Sequence, residues 1–109
     1  MTEQGQFRTR VLIVEDDAFT RALVGESLAN AGMVVKTAEN FAVATEILNE
    51  YEPNVVVSDL DLGPGPSGAD LLTRVHEERP WVGLVALTSH GSATLDVGSG
   101  HELPEGVVL

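Results

Sequence analysis

Five short and largely apolar runs, separated by segments with helical spacing, constrain the fold of this chain more than any other feature. The runs cover residues 10–14, 33–37, 55–58, 82–87 and 106–109. Strands that stay apolar, instead of alternating apolar with polar residues, are buried on both faces of a sheet. Helices must then cover both faces, so the pattern predicts an α/β fold with a doubly wound, parallel sheet.

Three segments between the runs have the spacing of amphipathic helices. They cover residues 17–31, which Gly32 terminates, residues 40–51, with Asn40 as the N-cap, and residues 69–79, which Pro80 stops. Their apolar stripes are Phe19, Ala22, Leu23 and Leu28 in the first, Phe41, Ala44, Ile47, Leu48 and Tyr51 in the second, and Leu71, Leu72 and Val75 in the third. We expect each stripe to pack on the sheet.

Composition limits the class of protein. The length of 109 residues favours one domain, at residues 9–109, after an extended or disordered lead of residues 1–8. Without cysteine the chain has no disulfides, thiolate metal sites or cysteine nucleophiles, which is typical of a reducing, cytoplasmic setting. A net charge of −11 argues against direct contact with nucleic acid. Every apolar stretch is far shorter than the roughly 20 residues of a membrane span, so we expect no membrane insertion.

Carboxylates follow two of the predicted strands at the point where each strand ends. Glu15, Asp16 and Asp17 follow the first strand, and Asp59 and Asp61 follow the third. In a parallel sheet these ends lie on one edge, where ligands bind. Carboxylates this close raise each other's pKa unless a hard cation lies among them, and oxygen-only ligands favour magnesium, calcium or manganese. Any one of these residues could instead cap a helix, as we expect for Asp17, but two clusters together favour a cation site.

The segments VLIVEDD, VVVSDLDL, PSGADLL and GLVALTS resemble, in order and spacing, the receiver domain of bacterial two-component response regulators. The resemblance covers nearly the whole chain, from residue 9 to residue 109. It implies a flavodoxin-like fold with the strand order 2-1-3-4-5. It also implies a signalling domain, not an enzyme, that takes a phosphoryl group from a sensor histidine kinase or a phosphotransfer protein and then switches an output surface.

The resemblance implies roles for the carboxylates. Asp59 would be the phosphoacceptor. Glu15 and Asp16 would hold Mg²⁺, together with Asp59 and the backbone carbonyl of Asp61. Attack on a phosphoryl group needs an ionised and exposed Asp59 carboxylate, and Mg²⁺ offsets the repulsion between that carboxylate and the phosphoryl oxygens.

Three further positions match the family pattern. Thr88, at the end of the fourth strand, would move toward the phosphoryl group after transfer, and Ser89 takes the next position, which is usually small. Gly68 takes the position of the family's loop glycine before the third helix. A hydroxyl that responds to the new charge would couple phosphorylation to a conformational switch.

Two other classes of protein stay open from the residues alone. The Asp-Leu-Asp motif that begins at Asp59 is similar to the first motif of haloacid-dehalogenase-type phosphatases. That motif follows the third strand here, and no candidate catalytic lysine lies on a later strand, so turnover of a phosphate ester would be the discriminating observation. A receiver-like module that only docks, without phosphorylation, is the other class, and the four acidic and hydroxyl residues of the predicted site argue against it.

The end of the sequence carries a further expectation. Receiver domains have a lysine directly after the fifth strand and a final helix beyond it, whereas here the fifth run, residues 106–109, comes last. Lys36 lies in the second predicted strand, away from the site. We therefore expect a receiver domain that is truncated at its C-terminus and lacks its final helix, with an uncovered apolar face that favours self-association.

Overall fold

The computed structural model of this protein describes residues 8–62, 65–87 and 107–108. Strands alternate with helices from β1 to β4, and the elements are β1 (Arg10–Val14), α1 (Ala18–Asn30), β2 (Val34–Ala38), α2 (Phe41–Tyr51), β3 (Val55–Asp59), α3 (Gly68–Glu78), β4 (Gly83–Leu87) and β5 (Val107–Val108). The predicted bounds of the first four strands and of the three helices agree with these within one residue. Within the described ranges, none of the helices has the length and apolar character that a bilayer crossing requires.

The strands form one parallel sheet in the order β2-β1-β3-β4-β5, which confirms the predicted topology. β1 lies between β2 and β3, and its last residue, Val14, is in register with both Ala38 and Ser58. The carboxyl ends of β1 and β3 are therefore neighbours at one edge of the sheet. Residues that follow these two strands are brought together by the topology alone.

The two faces of the sheet carry separate apolar clusters, which explains why the strands are apolar throughout. Leu12 and Val14 of β1 point to the face that α2 and α3 cover, where Val56 and Leu72 join them. The alternate strand residues Val11, Ile13 and Val57 point to the other face. There they pack with Val24 and Leu28 of α1. Each cluster removes apolar surface from water, at about 25 cal/mol per Å².

The predicted stripe of α1 is wrong for three of its four residues. Phe19 and Leu23 are 75% and 53% exposed, and Ala22 is exposed as well. The helix instead turns a different face to the sheet, formed by Val24, Gly25 and Leu28. Gly25 is buried on that face, where a Cβ atom would make ordinary contacts with side chains of the sheet.

Candidate functional site

Three carboxylates from two adjacent strands meet at the carboxyl edge of the sheet. Glu15 and Asp16 follow β1 directly, and Asp59 is the last residue of β3. One oxygen of each carboxylate lies within 4.8 Å of the other two. Glu15 and Asp59 are only 3% and 4% exposed, whereas Asp16 is exposed. The structure thus brings together the three side chains that the sequence predicts to share a cation.

Backbone amides orient the two buried carboxylates. The amide of Asp17 donates to Glu15 Oε2 (3.1 Å), and the amide of Asp61 donates to Asp59 Oδ1 (3.2 Å). In each case the donor lies two residues after the carboxylate, so the loop that leaves each strand folds back onto that strand's own end. Asp59 is consequently less exposed than expected for an acceptor, because the Asp61 amide and the Glu15 side chain both lie against its carboxylate.

Burial and crowding raise the pKa of both buried carboxylates. Loss of hydration is the largest cause in each. It raises the pKa of Glu15 to about 7, with a further contribution from the charge of Asp59 and against the effect of the Asp17 amide. The pKa of Asp59 is raised as well, but its hydrogen bond with Glu15 acts in the lowering direction. Burial thus favours the protonated form of both carboxyls, while the hydrogen bond between them acts in opposite directions on their two pKa values.

Asp17 serves as a helix cap, as predicted. Its carboxylate accepts hydrogen bonds from the amide of Thr20 (2.8 Å) and from the Thr20 hydroxyl (2.6 Å) at the start of α1. These two bonds lower the pKa of Asp17. Its side chain is thus committed to the helix and lies outside the cluster of three carboxylates.

Part of the predicted site lies outside the described residues. Thr88 and Ser89 belong to that part, while β4 is described up to Leu87, which is in register with Asp59. The roles of the two hydroxyl residues, and the role of the Asp61 carbonyl as a cation ligand, stay predictions.

The start of α3 lies directly against the peptide of Asp59. A Cβ atom on Gly68 would lie 1.6 Å from the carbonyl oxygen of Asp59 and 2.9 Å from the Cα atom of Leu60. The Gly68 amide also donates to the Leu60 carbonyl (3.0 Å), and the buried Ser58 hydroxyl donates to the Asp59 carbonyl (2.9 Å). Only glycine fits at position 68, so the loop glycine of the predicted site fixes the backbone of Asp59.

Two features near the site escaped the sequence analysis. Ser67 and Asp70 form a reciprocal capping box at the start of α3. A serine three residues before an acidic residue is the sequence pattern that predicts such a box. Arg21 donates from Nη1 to the carbonyl of Glu15 (2.9 Å) and reaches the carbonyl of Asp16 (3.5 Å). The sequence feature that could have indicated this contact is a basic residue one turn before Val24, on the face of α1 that meets the sheet.

The residues present fit a small, hard cation. The cluster offers three carboxylate oxygens and no imidazole or thiolate, which is the donor set that Mg²⁺ prefers. Two buried carboxylates with raised pKa values are unfavourable neighbours when bare. A divalent cation among them would remove that repulsion and favour the ionised form of both.

Comparison with known proteins identifies the family. The sequence profile of the response regulator receiver domain matches residues 11–98. The DNA-binding transcriptional regulator NtrC of Escherichia coli K12 is 34% identical over 80 residues, which are 73% of this chain and 17% of that protein. The C4-dicarboxylate transport transcriptional regulatory protein DctD of Pseudomonas aeruginosa is 32% identical over 90 residues, 83% of this chain and 19% of its own length. This chain therefore spans less than a fifth of these relatives.

Solved structures agree with the sequence match. The N-terminal domain of a response regulator/sensory box/GGDEF 3-domain protein from Carboxydothermus hydrogenoformans superposes with a TM-score of 0.72 at 26% identity, over 81% of this chain and 71% of that one. The signal receiver domain of an HD domain-containing protein from Pseudomonas fluorescens Pf-5 shares the fold with a TM-score of 0.76 at 21% identity, over 94% and 82% of the two chains. Receiver domains of this family typically bind Mg²⁺ at an acidic cluster and interact with histidine kinases or phosphotransfer partners. Profile, relatives and fold together show that this chain belongs to the response regulator receiver domains, the phosphoacceptor signalling domains of two-component systems.

Proposed function

We propose that this chain accepts a phosphoryl group on Asp59, from the phosphohistidine of a sensor kinase or phosphotransfer protein, with Mg²⁺ at the cluster of three carboxylates. The observation that carries the proposal is the convergence of Glu15, Asp16 and Asp59 within 4.8 Å at the carboxyl ends of β1 and β3. The cytoplasm is the compartment in which we expect the transfer. Membership of the receiver family lends support to this function, and it lends none to the phosphatase or the docking-only module.

The transfer requires little of the protein beyond positioning and charge. An oxygen of the Asp59 carboxylate forms the new bond to phosphorus, and the bond from phosphorus to the donor's imidazole nitrogen breaks. The electron pair of that bond stays on the imidazole nitrogen, which then takes up a proton. The Asp61 amide fixes the carboxylate of Asp59 and acts to lower its pKa, which favours the ionised form that attacks.

Glu15 and Asp16, the carboxylate of Asp59 and the Asp61 carbonyl would hold the cation. When bound, Mg²⁺ would neutralise the charge that accumulates between the acceptor and the phosphoryl oxygens. Thr88 and Ser89 are assigned the contacts with the transferred group, and Thr88 the response that switches an output surface. Gly68 contributes by holding the peptide of Asp59 in place against α3.

Phosphorylation by acetyl phosphate tests the proposal without the unknown kinase. With Mg²⁺ present, we expect the parent chain to gain the mass of one phosphoryl group, and Asp59→Asn to lose that gain because an amide is not a nucleophile here. Asp70→Asn is the matched control, since it makes the same change on an exposed aspartate that only caps α3. Equal phosphorylation of Asp59→Asn and the parent would disprove the assignment. Turnover of a generic phosphate ester by the parent would instead favour the phosphatase.

A further inference from the structure

Arg21 is bonded to the backbone of the two residues that begin the carboxylate cluster. It lies in the first turn of α1, where its amide continues the helix by donating to the Asp17 carbonyl (2.9 Å). Its half-buried side chain runs back toward the sheet, so that Nη1 donates to the Glu15 carbonyl (2.9 Å) and reaches the Asp16 carbonyl (3.5 Å). One guanidinium thus spans the peptide from which both carboxylates project.

A cation at this position of α1 has two costs. A positive charge in the first turn of a helix opposes the helix dipole, at a cost of about 0.3–1 kcal/mol. Arg21 also lies one turn before Val24 and Gly25, on the face of the helix that meets the sheet, where packing favours an apolar residue. Against these costs stand the attraction between Arg21 and the Asp17 carboxylate four residues earlier and the hydrogen bonds to the two carbonyls.

The peptide of Glu15 and Asp16 needs such a support. The Glu15 amide is held by the Ala38 carbonyl of β2 (3.0 Å), whereas the paired register of β1 with β3 ends at Val14. Beyond that point the chain must turn into α1 while it keeps two adjacent side chains aimed at Asp59. Hydrogen bonds from a charged donor are stronger than neutral ones, and the planar guanidinium holds a fixed geometry.

We infer that Arg21 is a positioning residue for the cation site: it fixes the Glu15–Asp16 peptide so that both carboxylates meet that of Asp59. The inference rests on the proposed function, since it assigns Arg21 a task in the same Mg²⁺ site. Arg21 touches neither the cation nor the phosphoryl group in this role. It acts through the backbone of the residues that do.

Replacing Arg21 either weakens or tightens the binding of Mg²⁺, and the direction of this change tells a positioning role from a purely electrostatic one. Arg21→Met keeps most of the side-chain length and removes both the donors and the charge. If charge alone mattered, the loss of a cation beside the site would tighten the binding of Mg²⁺. If Arg21 positions the peptide, binding weakens, and disturbed support of metal ligands typically lowers affinity by about tenfold or more.

The experiment measures Mg²⁺ affinity by calorimetry and the free energy of unfolding in EDTA for the parent, Arg21→Met, Arg21→Lys and Arg74→Met. Arg74 is the matched control because its charge lies on α3, 53% exposed, in an ion pair with Glu78. We expect about tenfold weaker Mg²⁺ binding in Arg21→Met, partial recovery in Arg21→Lys, and parental binding in Arg74→Met. At saturating Mg²⁺, phosphorylation of Arg21→Met by acetyl phosphate should return close to the parental rate.

Two results would overturn the inference. One is parental or tighter Mg²⁺ binding in Arg21→Met together with a lower free energy of unfolding, which would make Arg21 a structural residue only. The other result is an Arg21→Lys variant that folds but shows no measurable Mg²⁺ binding. This result can be obtained even if Arg21→Met does not fold. Failure of the proposed function is distinguishable, because then the parent chain itself would neither bind Mg²⁺ nor gain a phosphoryl group.

Discussion

At the scale of single residues, Asp16 and Asp17 are neighbours in the sequence with different surroundings. The side chain of Asp16 is exposed and has an oxygen within 4.8 Å of oxygens on both Glu15 and Asp59. The side chain of Asp17 is bonded instead to the amide and hydroxyl of Thr20. A one-residue step along the loop therefore separates a residue of the cation cluster from a helix cap.

Replacing each aspartate by alanine should separate the two tasks. We expect Asp16→Ala to weaken Mg²⁺ binding by about tenfold or more while it changes the free energy of unfolding little. Asp17→Ala should lower the free energy of unfolding, because the cap of α1 is lost, and leave Mg²⁺ affinity close to parental. Calorimetric titration and urea unfolding provide the two measurements. Equal losses of Mg²⁺ affinity in the two variants would contradict this division.

At the scale of elements, two helical glycines bring α1 and α3 close to the sheet, but with different tolerance for a side chain. A Cβ atom on Gly25 of α1 would lie 3.8–3.9 Å from side-chain atoms of Thr37, Ile13 and Val35, which is ordinary contact. A Cβ atom on Gly68 of α3 would overlap the Asp59 carbonyl oxygen. Position 25 can therefore accept a methyl group. At position 68 a methyl group would displace backbone, and with it the acceptor residue Asp59.

Alanine at these two positions should have opposite effects on stability. Gly25→Ala should raise the free energy of unfolding by about 0.5–1 kcal/mol, since alanine is the better helix former and fits the space. Gly68→Ala should lower it by about 2–4 kcal/mol and slow phosphorylation, because α3 or the Asp59 peptide must shift. Urea unfolding and the acetyl phosphate reaction give the readouts. A Gly68→Ala variant as stable and as reactive as the parent would refute the close contact.

The helices also show how far the sequence predicts this fold. The stripe of α2 was predicted correctly because its largest apolar residues, such as Phe41 and Leu48, lie on the face that meets the core. In α1 the large apolar residues Phe19 and Leu23 lie on the exposed face, while a glycine and an arginine occupy part of the buried one. Periodicity weighs side chains by their hydrophobicity, so it favoured the face with Phe19 and Leu23 over the face that packs on the sheet.

The candidate site, too, was predictable from the sequence only in part. The parallel sheet follows from the apolar pattern and the strand order from the family resemblance, so the convergence of Glu15, Asp16 and Asp59 was predictable. The bonds of Arg21 to two carbonyls were not, because they depend on the path of a loop that local sequence rules do not specify. Local sequence rules could have predicted the capping of α3 by Ser67, because its partner Asp70 lies three residues later.

At the scale of the whole molecule, the buried carboxylate pair makes stability depend on pH. Without a divalent cation, folded Glu15 has a pKa near 7, whereas the ordinary value is 4.5. Between these pH values the folded state binds more protons than the unfolded state, so the free energy of unfolding falls as the pH rises from 4.5 to 7. The contribution of this residue is at most about 3 kcal/mol.

Urea unfolding in EDTA across that pH range should show this decrease for the parent and a much weaker one for Glu15→Gln. The comparison matters because the net charge of −11 adds self-repulsion to both proteins. Saturating Mg²⁺ should reverse the slope in the parent, since a cation bound to ionised carboxylates competes with protons. Identical slopes for the parent and Glu15→Gln in EDTA would show that the pKa of Glu15 is not raised in the folded protein.

The place of β1 between β2 and β3 has a consequence for synthesis on the ribosome. β1 and β2 can pair as soon as residue 38 has emerged, because Val14 is in register with Ala38. The other edge of β1, which is fully apolar from Val11 to Val14, has no partner until the strand around Val57 follows. Nascent chains in this interval present an open apolar strand edge, which is the kind of surface that chaperones bind and that aggregates. Slow translation of the segment between Ala38 and Val55 would therefore lower the yield of folded protein.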